Sequence, residues 1–243
     1  SFLGYATHGL LDACTSYGTQ LFWPFSNERV TWNNISIVDP LFTIPILILV
    51  GTAIKTRKRL FSFFAIGWAT FYLSLGFVQY ERALSAANEL AESRGHNAER
   101  LTLKPSFGNL ILWKSIYQHE QTFYVDAIRA VQSSTVCLGE SIKIFNYQQH
   151  LPGLDKESQQ AEDVERFRWF SQDYLGFDDE KNLVTDVRYS MLPNQIEPMW
   201  GLVIDDQRDI NEHAIWWTGR DLDQSQLSLF KEMLSGKKCR NRS

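Results

Sequence analysis

Two uncharged apolar runs, separated only by Lys55-Thr56-Arg57-Lys58-Arg59, constrain this chain more than any other feature. Residues 60–79 read LFSFFAIGWATFYLSLGFVQ, the roughly 20 residues that a membrane-spanning helix needs. Residues 41–54 read LFTIPILILVGTAI, about 21 Å as a helix against a hydrocarbon core of roughly 30 Å. Counting back to Ile35 supplies the missing length but brings Asp39-Pro40 into the span. Four cations in five residues have no place in an apolar core. The pattern therefore predicts a transmembrane helical hairpin with a tight basic turn, rather than two core helices of a soluble domain. By the positive-inside rule the 55–59 loop is cytoplasmic. Both outer ends of the hairpin then face the other side, which in a bacterium is the periplasm.

Charge divides the chain in the same place. Residues 1–80 carry five basic and three acidic side chains, net +2, and the remainder carries 19 basic and 25 acidic, net −6. A weakly charged apolar third is joined to an acidic, mixed-pattern remainder, so the chain divides into a helical membrane domain over 1–97 and a soluble domain over 98–243. The overall charge of −4 leaves no cationic excess for displacing phosphate counterions, which argues against nucleic acid as a partner. The bilayer itself is the expected partner. Cys14, Cys137 and Cys239 are scattered with no CxxC, which excludes a disulfide-rich scaffold and a zinc ribbon.

The first segment, residues 2–25, is largely apolar and has no Lys, Arg or Glu. Read as a helix ending at Trp23-Pro24, it places His8, Asp12, Thr15 and Thr19 within about 60° of one another, one polar stripe on an apolar cylinder. Such a stripe in lipid has to face protein, water or a metal. No basic stretch precedes the apolar run, so the segment is not read as a signal peptide. It starts abruptly within a helical pattern, and the expectation is that the start of a longer protein is missing.

Residues 81–94 are polar and helix-forming and continue the second span out of the membrane. From Leu101 the period changes. Residues 109–117 and 122–131 read as an antiparallel strand pair with a turn at 118–120, and further strands are expected over 141–147, 165–170, 183–189 and 199–204. Residues 148–163 read as a loop, and 221–234 as a helix capped by Gly236. The fold class is α+β: an apolar helix and a transmembrane hairpin, then a mainly β soluble domain with a C-terminal helix.

Chemistry is concentrated near the N-terminus. His8 and Asp12, four apart on a helix, project from one face, a spacing that can put two ligands on one cation. Asp39 opens the hairpin. Two carboxylates and an imidazole suit Zn²⁺, Mn²⁺ or Fe²⁺. The alternative is a hydrogen-bonded His–Asp pair that merely holds helices together. His96, His119, His150 and His213 stand in polar contexts and read as surface residues, and Cys14 as packing. GxSxG, HExxH and phosphate-cradling glycine loops are absent from the sequence.

The blocks T7-H8-G9-L10-L11-D12-A13-C14-T15-S16-Y17-G18-T19-Q20, L21-F22-W23-P24-F25 and I37-V38-D39-P40-L41-F42 resemble the membrane-bound metal-dependent hydrolases of the inner membrane, a family with a LexA-regulated member. N109-L110-I111-L112-W113-K114, F167-R168-W169-F170-S171 and T185-D186-V187-R188-Y189 extend the resemblance into the soluble part. It implies a multi-span membrane domain in which His8 and Asp12 are metal ligands and Asp39 is their associate. It also implies a remote likeness to zinc-dependent phospholipase C. The family pattern has further His and Asp residues upstream, in a block this sequence does not contain, which fits an N-terminally truncated member. The expected activity is attack of metal-activated water on an ester or phosphoester of a lipid or lipid-linked substrate, with a divalent metal, Zn first, and Asp39 as the catalytic residue that orients the water. The competing expectation is a non-catalytic membrane anchor whose β-rich domain binds a partner.

Overall fold

The structure is a computed structural model that describes residues 2–219, 223–237 and 239–241. It opens with α1 (Phe2–Ala13), followed by an irregular stretch that doubles back on itself. Thr19 and Val30 exchange backbone hydrogen bonds, and the Trp32 and Asn34 N–H groups donate to the carbonyls of Ala13 and Cys14. The helix expected over 2–25 is thus half that length. Thr15, Ser16 and Gly18, the last with φ at +65°, are poor helix formers and turn the chain out. The four-residue polar stripe is cut accordingly. His8 and Asp12 keep their shared face, Thr15 turns its hydroxyl onto the Asp12 carbonyl, and Thr19 enters the bridge to Val30.

The hairpin follows as α2 (Pro40–Thr56) and α3 (Arg59–Ser93). Pro40 at the first helical position and Asp39 before it are a strong helix-start combination. Arg57, in the left-handed region at φ 56°, ends α2 inside the basic turn. α3 is long and apolar enough to cross a membrane, and only 17% of its most apolar window is buried. α2 has 17 residues, none of them buried. A core helix of a soluble domain would be covered. Here Leu47, Ile48, Phe63 and Ile66 are all more than 60% exposed, the state expected of side chains that face lipid.

The remainder holds two antiparallel sheets. The first is ordered β1 (Glu99–Pro105), β2 (Leu112–His119), β3 (Thr122–Arg129), β4 (Thr135–Lys143) and, at its edge, β9 (Arg240–Asn241). The expected β2–β3 hairpin is present, with His119 opposite Thr122 and Glu120 at φ 52° in the turn. After β4 come a short turn of helix, α4 (Tyr147–His150), and then α5 (Gln159–Phe170). The second sheet runs in chain order through β5 (Leu175–Asp178), β6 (Leu183–Asp186), β7 (Trp200–Val203) and β8 (Ile215–Thr218). α6 (Gln224–Ser235) completes the fold, with a capping box at Asp223 and Gly236 in the left-handed region at its end. Asp221 and Leu222, at the expected start of this helix, lie outside the described residues.

β2 is buried on both faces because α3 covers one, and α6 together with the 187–196 stretch covers the other. Trp113 and, from β3, Ile128 pack against Ala83, Ala86 and Ala87 of the polar half of α3. On the opposite face Leu112 and Ala127 meet Leu192 and Met233 of α6. A disulfide joins Cys137 of β4 to Cys239, 102 residues on, and fixes the chain end to the sheet edge. Two expected strands are corrected. Residues 165–170 are helical and belong to α5, and the strand expected over 141–147 lies earlier, at Thr135–Lys143.

Candidate functional site

His8 and Asp12 occupy the last two turns of α1, so four residues of helix bring their side chains together. His8 Nε2 lies 3.4 Å from Asp12 Oδ2, and the side chains are 71% and 44% exposed. Two donors each 2.0–2.1 Å from a tetrahedral ion stand about 3.3 Å apart, so the spacing fits two corners of a zinc-type site. The exposure does not fit a pair buried to hold helices together. Among the described residues no group of three or more His, Cys, Asp or Glu side chains could share one cation. The pair by itself would fill at most two corners of such a site.

Asp39 is placed differently. It is 4% exposed, and its Oδ1 accepts from the Leu41 and Phe42 N–H groups at 3.1 and 3.2 Å. The Tyr72 hydroxyl donates to both carboxylate oxygens, at 3.0 and 2.9 Å. The side chain caps α2 and ties it to the middle of α3. That is ample occupation for one carboxylate, and it gives Asp39 a structural function independent of any metal.

The four later histidines are tied down locally. His213 sits on Asp163 at 2.9 Å, and His150 lies on the Phe177 ring. His96 stacks on His119 with ring centroids 4.2 Å apart, and its Nδ1 is 2.9 Å from the Tyr117 hydroxyl. The Arg94 guanidinium beside them grips the buried Asp126 with two bonds, at 2.7 and 2.8 Å.

A second polar cluster escaped the sequence reading. Lys104 of β1 and Lys114 of β2 are directly opposite each other and only 6% and 5% exposed. Arg188 and Asp186, both buried, lie close by and are joined by paired bonds at 2.8 and 2.7 Å. The signal was available for Lys114, because counting by twos from Leu112 and Ile116 puts it on their apolar face. Lys104 needed the β1–β2 register. These lysines line a cavity of about 330 Å³, together with Ser16 and Tyr17 after α1 and Ser36–Val38 before α2.

Burial pushes the Lys114 ammonium down to about 7 and Lys104 well below the ordinary lysine range.

Comparison with known proteins reaches the membrane part only. No curated protein and no solved structure matches the chain. Residues 1–83, about a third of the chain, match the model of a family described as YdjM inner membrane protein. Together with the exposed apolar hairpin, this makes the chain a membrane protein whose N-terminal third is similar to that inner-membrane family.

Proposed function

We propose that the protein is a metal-dependent hydrolase of the bacterial inner membrane, with His8 and Asp12 as two of its metal ligands. The observation that carries the reading is the exposed His8–Asp12 pair at ligand spacing, on the helix that precedes the apolar hairpin in the chain. The donor set suits Zn²⁺ first, then Mn²⁺ or Fe²⁺. A bound cation would supply Lewis acidity, polarising an ester or phosphoester and making water nucleophilic near neutral pH. His8 offers Nε2 and Asp12 offers Oδ2 on the open side of α1, where substrate can approach. Asp39 is assigned no contact with the pair in this reading, because its oxygens are engaged by the α2 backbone and Tyr72. The apolar surfaces around the pair favour a lipid or lipid-linked substrate.

The orientation is part of the proposal. The basic turn lies in the cytoplasm, and His8, Asp12 and the β domain lie on the periplasmic side. The Cys137–Cys239 disulfide supports this, since such bridges persist in oxidising compartments. A second reading, a non-catalytic anchor with a partner-binding β domain, is favoured by the engagement of Asp39 and by the pair having no third donor among the described residues.

The test is elemental analysis of purified wild type and Asp12→Asn in detergent, with melting temperatures measured alongside. Asp12→Asn exchanges an anionic ligand for a neutral one of similar shape, so metal affinity should fall at least about tenfold while the metal-free protein melts as before. Wild type without metal, or a variant that binds as much as wild type, overturns the ligand assignment and leaves the anchor reading.

A further inference from the structure

Lysines directly opposite each other on a buried sheet face repel, and their burial disfavours both charges. Lys104 and Lys114 stand in that relation. The nearby carboxylates do not resolve it: Glu140 accepts from the Ile196 N–H at 2.8 Å, and Asp186 is taken by an arginine. Asp186 accepts three bonds from Arg188, through its backbone N–H at 3.1 Å and its guanidinium at 2.8 and 2.7 Å. Lys114 donates to the Ser190 hydroxyl at 2.6 Å and the Gln195 carbonyl at 2.7 Å. Lys104 has a long contact of 3.4 Å to the Ser16 carbonyl and lies 4.0 Å from the centre of the Tyr189 ring. The ammonium thus has three donors, one distant acceptor and a ring face. The Ser106 hydroxyl in the same wall is buried and has no partner. Under-used donors on Lys104 and Ser106 therefore border a cavity large enough for a small ligand.

We propose that this cavity binds a phosphate group, with Lys104, Lys114 and Ser106 as its donors. Three donors on neighbouring walls suit a tetrahedral oxyanion, and lysine serves phosphate as a point charge. The mutual repulsion of the two lysines becomes attraction to a shared anion. One wall is Ser36–Val38, immediately before α2, and the exposed Ile37, Val38 and Phe107 form an apolar rim there. A phosphate arriving on a lipid would place its headgroup in the cavity and its chains along that rim. Free phosphate offers the same chemistry without the chains. The burial of both lysines and their lowered proton affinity agree with a site that is completed by an anion.

The experiment follows the melting temperature of the whole protein in maltoside micelles containing EDTA. Three probes are titrated: inorganic phosphate, phosphatidic acid and, as a phosphate-free control, diacylglycerol. A rise of several degrees with phosphatidic acid but not diacylglycerol, lost in Lys104→Met and Lys114→Met, supports a lipid-borne phosphate. The same lysine-dependent rise with millimolar inorganic phosphate supports a free phosphate. The ligand-free Lys104→Met protein is expected to melt no lower than wild type, whereas a lysine with only a structural role would lower it. No rise with either phosphate probe, or an equal rise in the lysine variants, overturns the proposal. Should neither lysine variant fold, Ser106→Ala decides. A several-fold weaker response supports the site and an unchanged one overturns it. Because EDTA is present throughout, this outcome is independent of the His8–Asp12 metal assignment.

Discussion

At the scale of single residues, Asp39 carries the most structure for its size. It joins the start of α2 to Tyr72 of α3 with four short contacts. Asp39→Ala removes the cap and strands the Tyr72 hydroxyl, which should cost about 2 kcal/mol, while Tyr72→Phe keeps the cap and should cost about 1 kcal/mol. Denaturant unfolding in detergent checks the order of the two, and metal content should not change in Tyr72→Phe. Lys114 makes a prediction about pH. Its folded proton affinity is lowered to about 7, chiefly by burial, with Asp186 and Glu140 pulling weakly the other way. Between about pH 7 and 10 the unfolded chain holds this proton and the folded chain does not, so the group's contribution to stability rises with pH. Below pH 7 both states are charged and the contribution is absent. Lys114→Met should flatten the rise, by up to roughly 1.4 kcal/mol per pH unit, when unfolding is followed from pH 7 to 9.5. The His8–Asp12 pair was legible in the sequence because a helix fixes neighbours four apart. For Asp39 the sequence pointed to a catalytic role and not to its capping role, although an Asp directly before a helix-opening Pro is the signal for a cap. The Lys104–Lys114 pair was not legible, because it depends on strand register across the fold.

Secondary elements were legible where the pattern is local and long. The hairpin, the β2–β3 pair and α6 with its Gly236 cap all follow from runs of eight or more residues bounded by turn or cap signals. α5 did not, for an identifiable reason. Over 165–170 the apolar Phe167 and Trp169 alternate with Arg166 and Arg168, which imitates a strand. Extended back to the Ser158 cap, the buried positions are Gln160, Ala161, Val164 and Phe167, at helical spacing, and Trp169 is left 63% exposed. α1 stopped early because the apolar composition after Ala13 concealed a run of poor helix formers. The disulfide was invisible for a different reason, since its cysteines are 102 residues apart and spacing alone carries no pairing. It holds β9 and the end of α6 on the first sheet. Cys239→Ser should therefore lower stability by roughly 2–4 kcal/mol, seen as an earlier melt that a reductant reproduces in wild type and does not deepen in the variant.

For the whole molecule, α3 is the link between its two parts. Its apolar half offers side chains to lipid, and its polar half supplies Ala83, Ala86 and Ala87 to the core beneath the first sheet. The chain that precedes the hairpin reaches the same region, where the Ser16 carbonyl accepts from Lys104 and from the Tyr189 hydroxyl. The segment after α1, the cavity and the β domain therefore meet near the end of the hairpin that is remote from the basic turn. The proposed chemistry depends on which side of the membrane that end faces. Single cysteines at Lys156, exposed between α4 and α5, and at Lys58, in the basic turn, report on it directly when placed in a Cys14→Ser background that keeps the 137–239 bridge. With a membrane-impermeant maleimide on intact spheroplasts, Lys156→Cys is expected to label at once and Lys58→Cys only after the membrane is permeabilised. Labelling of Lys58→Cys in intact spheroplasts, with Lys156→Cys protected until permeabilisation, would contradict the account.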